Sequence, residues 1–181
     1  MKTYIALFRG INVGGRHILP MKELVALLED LGCSKVKTYI QSGNAVFESK
    51  ESNPSQLSNK ISAEIKKRRG FEPFVLLLSR KEMEKVIANN PFPVGEKDSK
   101  ILHVGFLTST PKSIDMKMLE GFRASSEQYR LIENIFYLYA PEGIGRSKLA
   151  VNTERALGVP ITDRNWGTVC KIMELAAGLN E

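Results

Sequence analysis

The chain has 181 residues, 43% apolar and 25% charged, proportions of a water-soluble globular fold with one domain or two small ones around a real core. No apolar run nears the length of a membrane span, and a strand pattern starts at Thr3 with no signal-peptide core, so a cytoplasmic protein without a membrane role is expected. The formal charge of +6 and the pI of about 9.3 favour an anionic partner: nucleic acid, nucleotide or a phosphorylated small molecule.

In chain order, Thr3 to Phe8 is β-rich, with Ile5 and Leu7 on one face. Arg9-Gly10-Ile11-Asn12-Val13-Gly14-Gly15-Arg16 follows as a glycine- and arginine-bearing loop. Pro20 suits a first helical turn, and Met21, Leu24, Val25, Leu28 and Leu31 form an apolar stripe that Gly32 ends. Lys35 to Ile40 and Ala45 to Glu48 read as a hairpin around the Gln41-Ser42-Gly43-Asn44 turn. Leu57, Ile61 and Ile65 give a second helix that runs into Lys66-Lys67-Arg68-Arg69-Gly70. Pro73 to Leu78 is a compact apolar strand.

This order, β-α-β-β-α-β to residue 79, is that of a ferredoxin-like unit. Residues 80–100 are then expected as a helix (Arg80 to Asn89) and a linker loop marked by Pro91, Pro93 and Gly95. Residues 101–181 are expected as a second α+β unit. It has a strand over Ile101–Thr108, a short helix around Ile114, Met118 and Phe122, a hairpin turning near Asn134, and a helix after the Pro141–Lys148 loop. A last helix carries Val169, Ile172, Met173 and Ala176, with Thr162 or Asp163 as its cap. The fold class is α+β: a ferredoxin-like N-terminal unit, then a β-α-β-β-α unit with C-terminal helices. The two halves share an order of elements without sequence self-similarity.

Connectivity has a consequence for chemistry. If strand one runs upward, its exit loop, the 41–44 turn and the 66–69 helix end all come to the top of the sheet. Gly10, Gly14 and Gly15 let backbone approach a ligand closely. Backbone N–H groups there, flanked by Arg9 and Arg16, suit an anion. Asn12, Gln41, Ser42 and Asn44 offer orienting hydrogen bonds. The plainer alternative is a tight connection whose glycines only turn the chain. Arg146, Ser147 and Lys148, in a second glycine-bearing loop before a helix, repeat the same physics, against the plain reading in which Ser147 caps the helix and the basic residues are solvated. Arg164 and Asn165 beside Trp166 pair an anion contact with a stacking face, against the plain reading of a capped helix with a buried Trp. Lys66 to Arg69 reads as a solvated helix end.

Enzyme and metal templates fail. The 9–16 loop is neither GxGxxG nor a P-loop. His17 and His103 sit in no HExxH pattern, and Cys33 and Cys170 have no CxxC partner. There is no GxSxG elbow. No catalytic residue, metal site or cofactor is therefore assigned; His17 is the one candidate general acid or base.

Arg9 to Gly15, Thr38-Tyr39-Ile40-Gln41-Ser42-Gly43-Asn44 and Arg164-Asn165-Trp166 with Thr168 resemble the bacterial family called domain of unknown function 1697, and Gly145 to Leu149 fits its pattern. The resemblance implies an α+β protein built on ferredoxin-like units. It implies no activity, substrate or residue role.

The expectation is therefore a phosphate-bearing, nucleotide-like ligand held by Arg9, Gly10, Asn12, Gly14, Gly15 and Arg16 with Gln41, Ser42 and Asn44. The rivals are an RNA- or DNA-binding module, an enzyme with an unrecognised site, and an interaction module without chemistry. The sequence leaves the oligomeric state undetermined.

Overall fold

The computed structural model describes residues 1–179; the second unit expected over 101–181 thus ends on two positions outside the described residues. The described residues form eight strands and six α-helices in two four-stranded antiparallel sheets. The chain divides into two compact units: Met1–Lys85 together with the stretch from Lys171 onward, and Val86–Cys170.

In the first unit the order is β1 (Lys2–Arg9), α1 (Met21–Asp30), β2 (Ser34–Tyr39), β3 (Asn44–Ser49), α2 (Pro54–Arg69) and β4 (Phe74–Ser79). The sheet order is β2-β3-β1-β4, so β1 lies between two antiparallel neighbours. Alternation along β1 sends Tyr4, Ala6 and Phe8 into a core with Leu24, Leu27 and Leu28 of α1 and Leu57, Ile61 and Ile65 of α2. The helix stripes at spacings of three and four are what let both helices lie on that face. Asn53 caps α2, its side chain accepting from the N–H groups of Ser55 and Gln56. Gly70 ends that helix in the left-handed region, at φ 78°.

α3 (Arg80–Ala88) follows. The second unit then holds β5 (Leu102–Leu107), α4 (Met116–Phe122), β6 (Gln128–Ile132), β7 (Ile135–Tyr139), α5 (Lys148–Leu157), β8 (Ile161–Asn165) and the start of α6 (Trp166–Ala177). Its sheet order, β6-β7-β5-β8, repeats that of the first unit strand for strand. β8 is a strand that the helical reading of this region missed. Thr162 and Asp163, expected as helix caps, lie within it, opposite Phe106 and Gly105 of β5. Asn165 takes the capping role instead, its Oδ1 accepting from the Thr168 N–H at 2.8 Å. The physical reason is that Ile-Thr-Asp-Arg-Asn carries too little apolar alternation to announce a strand, and pairing with β5 decides the matter.

Candidate functional site

In the first unit, the end of β1 and the start of β3 meet at one edge of the sheet, Leu7 standing opposite Asn44. The Phe8 N–H donates to the Gly43 carbonyl at 2.9 Å. Asn12 completes the junction. Its Nδ2 donates to the carbonyls of Leu19 (2.9 Å) and Gln41 (2.8 Å), and its Oδ1 accepts the Leu19 N–H at 2.8 Å. Residues 9–16 and 41–44 are thus directly joined.

The loop itself is a small hairpin finger. The Arg16 N–H donates to the Val13 carbonyl and the Asn12 N–H to that of His17. Between Val13 and Arg16, Gly14 and Gly15 take φ of 57° and 72°, the two successive positive values that a tight mirror-image hairpin turn demands. Those glycines therefore turn the finger and do not open α1, which begins at Met21. Positive φ is concentrated here in non-glycine residues too: Asn12 at 55°, His17 at 52° and Ile40 at 50°. Asn tolerates this region, but for a β-branched Ile it is a true outlier. His17 is held by its Nδ1 at 3.0 Å from the Gly10 carbonyl and by stacking on Phe71, centroids 4.7 Å apart. Gly43 is fixed sterically, since a Cβ there would come within 2.5 Å of Ile11 Cδ1.

What remains for a ligand is narrower than the sequence suggests. Asn12 spends its amide on the loop. Asn44 is fully buried, and its Nδ2 donates to the Tyr39 carbonyl and to Ser42 Oγ. Gly10, Gly14, Gly15, Arg16 and Gln41 are exposed. Arg16 makes no side-chain ion pair among the described residues. By contrast the basic run at the end of α2 is matched by carboxylates. Arg69 pairs with Glu23, Arg68 with Asp30 and Glu64, and Lys66 with Glu72. The exposed side chains of Val13, Ile18 and Ile40 add apolar surface to the finger and turn.

The remaining candidates belong to the second unit. The Pro141–Lys148 loop leaves β7, and Asn165-Trp166 leaves β8. Tyr139 opposes Leu102, and Asn165 opposes His103, so both segments lie at the sheet end opposite the β6–β7 turn. By topology that is the end opposite the one that carries the finger in the first unit. Arg146 and Lys148 are exposed, whereas Ser147 is buried and caps α5, accepting from the Ala150 N–H at 2.9 Å. Trp166 is buried and offers no open stacking face. Arg164 donates from Nη1 to the Asp163 carbonyl at 2.7 Å. Burial lowers its pKa to about 10, partly countered by the Asp163 charge, so it stays cationic at neutral pH.

One pair escaped the sequence reading altogether. His103 Nδ1 lies 2.7 Å from Asp163 Oδ2, and its Nε2 lies 3.3 Å from the Lys100 carbonyl. Burial pushes the imidazole pKa down, but the Asp163 hydrogen bond, its charge and the Lys100 carbonyl together outweigh burial and raise it. Sixty residues separate the partners, and only the unforeseen β8 brings them together.

Among the described residues no group of three or more His, Cys, Asp or Glu side chains gathers as a metal-ligand set. Neither cysteine is in a disulfide, and burial raises the Cys33 thiol pKa despite a hydrogen bond with Ser49, which disfavours a nucleophilic thiolate. No described helix is long and apolar enough to cross a membrane.

A family model described as "Protein of unknown function (DUF1697)" matches residues 1–137. The chain belongs to this family. A solved structure, that of conserved bacterial protein SP0830 from Streptococcus pneumoniae, is similar over 97% of this chain and 98% of its own, with 28% identity and a TM-score of 0.68. The comparison with curated proteins found no match. The two-unit α+β architecture is thus shared across nearly the full length of both chains.

Proposed function

We propose that the protein binds a phosphate-bearing, nucleotide-like ligand at the finger edge of its first unit. The observation that carries this reading is the pinned finger. Asn12 ties it to the 41–44 turn by one hydrogen bond, to the Gln41 carbonyl, and closes its base by two more with Leu19, while Arg16 is exposed and makes no ion pair among the described residues. A loop held in costly backbone geometry is pre-organised, and pre-organised donors bind anions with less ordering cost. Arg9 and Arg16 would supply charge, and the exposed backbone at Gly10, Gly14 and Gly15 would supply N–H donors. Asn12 and Asn44 would act by holding the frame. The apolar surface of Ile18 and Ile40 suits the non-phosphate part of such a ligand.

Titration calorimetry with a nucleoside triphosphate, inorganic phosphate and a short oligonucleotide tests this. The expected result is saturable nucleotide binding that weakens at least about tenfold in the Arg9→Ala, Arg16→Ala double variant, the scale of losing one charge-assisted hydrogen bond. Unchanged binding in that variant overturns the site. Preference for the oligonucleotide, with affinity falling steeply as salt rises, would move the reading to nucleic acid.

A further inference from the structure

The two units share one topology, so they can be compared position by position. The N–H of Phe8 donates to the hairpin carbonyl of Gly43, and that of Leu107 to the hairpin carbonyl of Asn134. Phe8 therefore corresponds to Leu107, Ala6 to Gly105 and Tyr4 to His103. Ala6 opposes Leu77 in the sheet, and Gly105 opposes Asp163, so Leu77 corresponds to Asp163. Both second helices end on a left-handed glycine, Gly70 donating to Lys66 and Gly158 to Glu154, each at 2.8 Å. This sets Ile65 against Thr153, and leaves α5 with 10 residues where α2 has 16.

Several matched positions lose apolar bulk in the second unit, although Ala45, opposite Ala6, is matched by the larger Phe136, opposite Gly105. Tyr4, Ala6, Leu77, Ile65 and Leu57 are core residues of the first unit. Their counterparts are His103, Gly105, Asp163, Thr153 and, for Leu57, Gly145, which lies in a short 3-10 turn before α5. At these five positions the second unit carries smaller or polar residues where the first carries apolar core side chains. A cleft of about 340 Å³ lies between Gly105, Phe136 and Ile161 of the sheet and Ala150, Glu154 and neighbouring residues of α5, with Asp163 in its wall. That volume is within the range of small-ligand pockets.

The wall chemistry selects the occupant. Its charged residues are two carboxylates, Asp163 and Glu154, with no Lys or Arg among the lining residues. Asp163 Oδ2 is held by His103, and its other oxygen has no partner among the described residues. Glu154 Oε1 accepts the Ile161 N–H at 2.7 Å. His103 stands behind Asp163, and Arg164, the next residue of β8, projects to the opposite face of the sheet; neither lines the cleft. Acceptor-only oxygens above an apolar floor reject anions and call for a donor.

We infer that this cleft is a binding site for a small apolar molecule bearing one protonated amine, with Asp163 as the anchoring carboxylate. It is independent of the proposed phosphate site, being built wholly within the other unit.

Heteronuclear NMR on the full chain, with hexylamine, hexanol and hexanoate as matched probes, tests it. Hexylamine is expected to shift the amide signals of Gly105 and Ala150 saturably, with a Kd on the order of 1 mM for so small a ligand. Hexanol should bind at least about tenfold more weakly and hexanoate should leave those signals in place. Asp163→Asn should remove the preference for the amine, and Ala150→Phe should abolish the hexylamine and hexanol shifts; preserved signal dispersion certifies the fold of each variant. Equal binding of the three probes, absence of shifts at the cleft, or an amine preference that survives Asp163→Asn would overturn the proposal. The probe series on the unaltered protein decides even if a variant fails to fold.

Discussion

Replacing Asn12 by Ala probes how the finger is held. Two of the lost hydrogen bonds, both with Leu19, are partly buried, and the third, to Gln41, is exposed. At about 1 kcal/mol for each of the first two and about 0.5 for the third, the hydrogen bonds contribute roughly 2.5 kcal/mol. Ala is also less suited than Asn to the φ of 55°, which brings the total to about 3 kcal/mol. Asn12→Gly loses the same bonds but relieves the backbone, so its expected cost is about 2 kcal/mol. Urea unfolding followed by circular dichroism measures both. Hydrogen exchange adds a local reading, because the Leu19 amide should lose its protection in either variant while the amides of the second unit keep theirs. A loss below about 1 kcal/mol in Asn12→Ala, or an equal cost for Ala and Gly, would refute the reasoning that Asn12 staples a strained loop.

Two further outcomes are expected in the second unit. Thr162 is buried and its Oγ1 is the one buried side-chain polar atom without a hydrogen-bond partner among the described residues. Thr162→Val keeps the shape and removes that polar atom, so it should stabilise the protein by about 1 kcal/mol, read from the urea midpoint. The His103–Asp163 pair should make stability fall as pH rises. With a folded pKa above the ordinary value of 6.5, its contribution is complete below the unfolded pKa and is lost as pH climbs through the folded one. An NMR titration of the imidazole should show the raised pKa, and in Asp163→Asn a value lower than in the unaltered chain, since burial then meets less opposition. A His103 titration unmoved by that substitution would contradict the pairing.

The fold was legible where local pattern and tertiary demand agree. The stripes of α1 and α2, the 35–48 hairpin and the apolar β4 each announce their element through periodicity, and their order suffices to bring 9–16 and 41–44 together. The site was legible only as a location. Ser147 was legible as a helix cap, but that Asn12 and Asn44 are spent on the loop and turn around them and Asn165 on a cap depends on side-chain directions that residue type does not carry. Polar residues near turns serve the backbone as readily as a ligand. β8 was hidden for the converse reason: its outward polarity obscures a short strand whose place is set by β5. With β8 unseen, the His103–Asp163 pair and the cleft beside it had no sequence trace.

The comparison of the two loops sharpens this point. Both carry glycine, arginine and a following helix, and by composition they look like two copies of one device. Topology separates them. The finger leaves the central strand β1, whereas the Pro141–Lys148 loop leaves β7 at the other end of its own sheet. The finger's true counterpart is the 108–115 segment after β5, which has neither the glycines nor the arginines. The units therefore differ at equivalent positions. The first carries the glycine- and arginine-bearing finger at the end of its central strand, and the second carries a plain 108–115 segment there and a cleft beside Gly105 and Asp163. A shared fold with reciprocal departures is the arrangement expected when each unit contributes a different binding surface, because polar and cavity-forming replacements of core residues cost stability unless another demand maintains them.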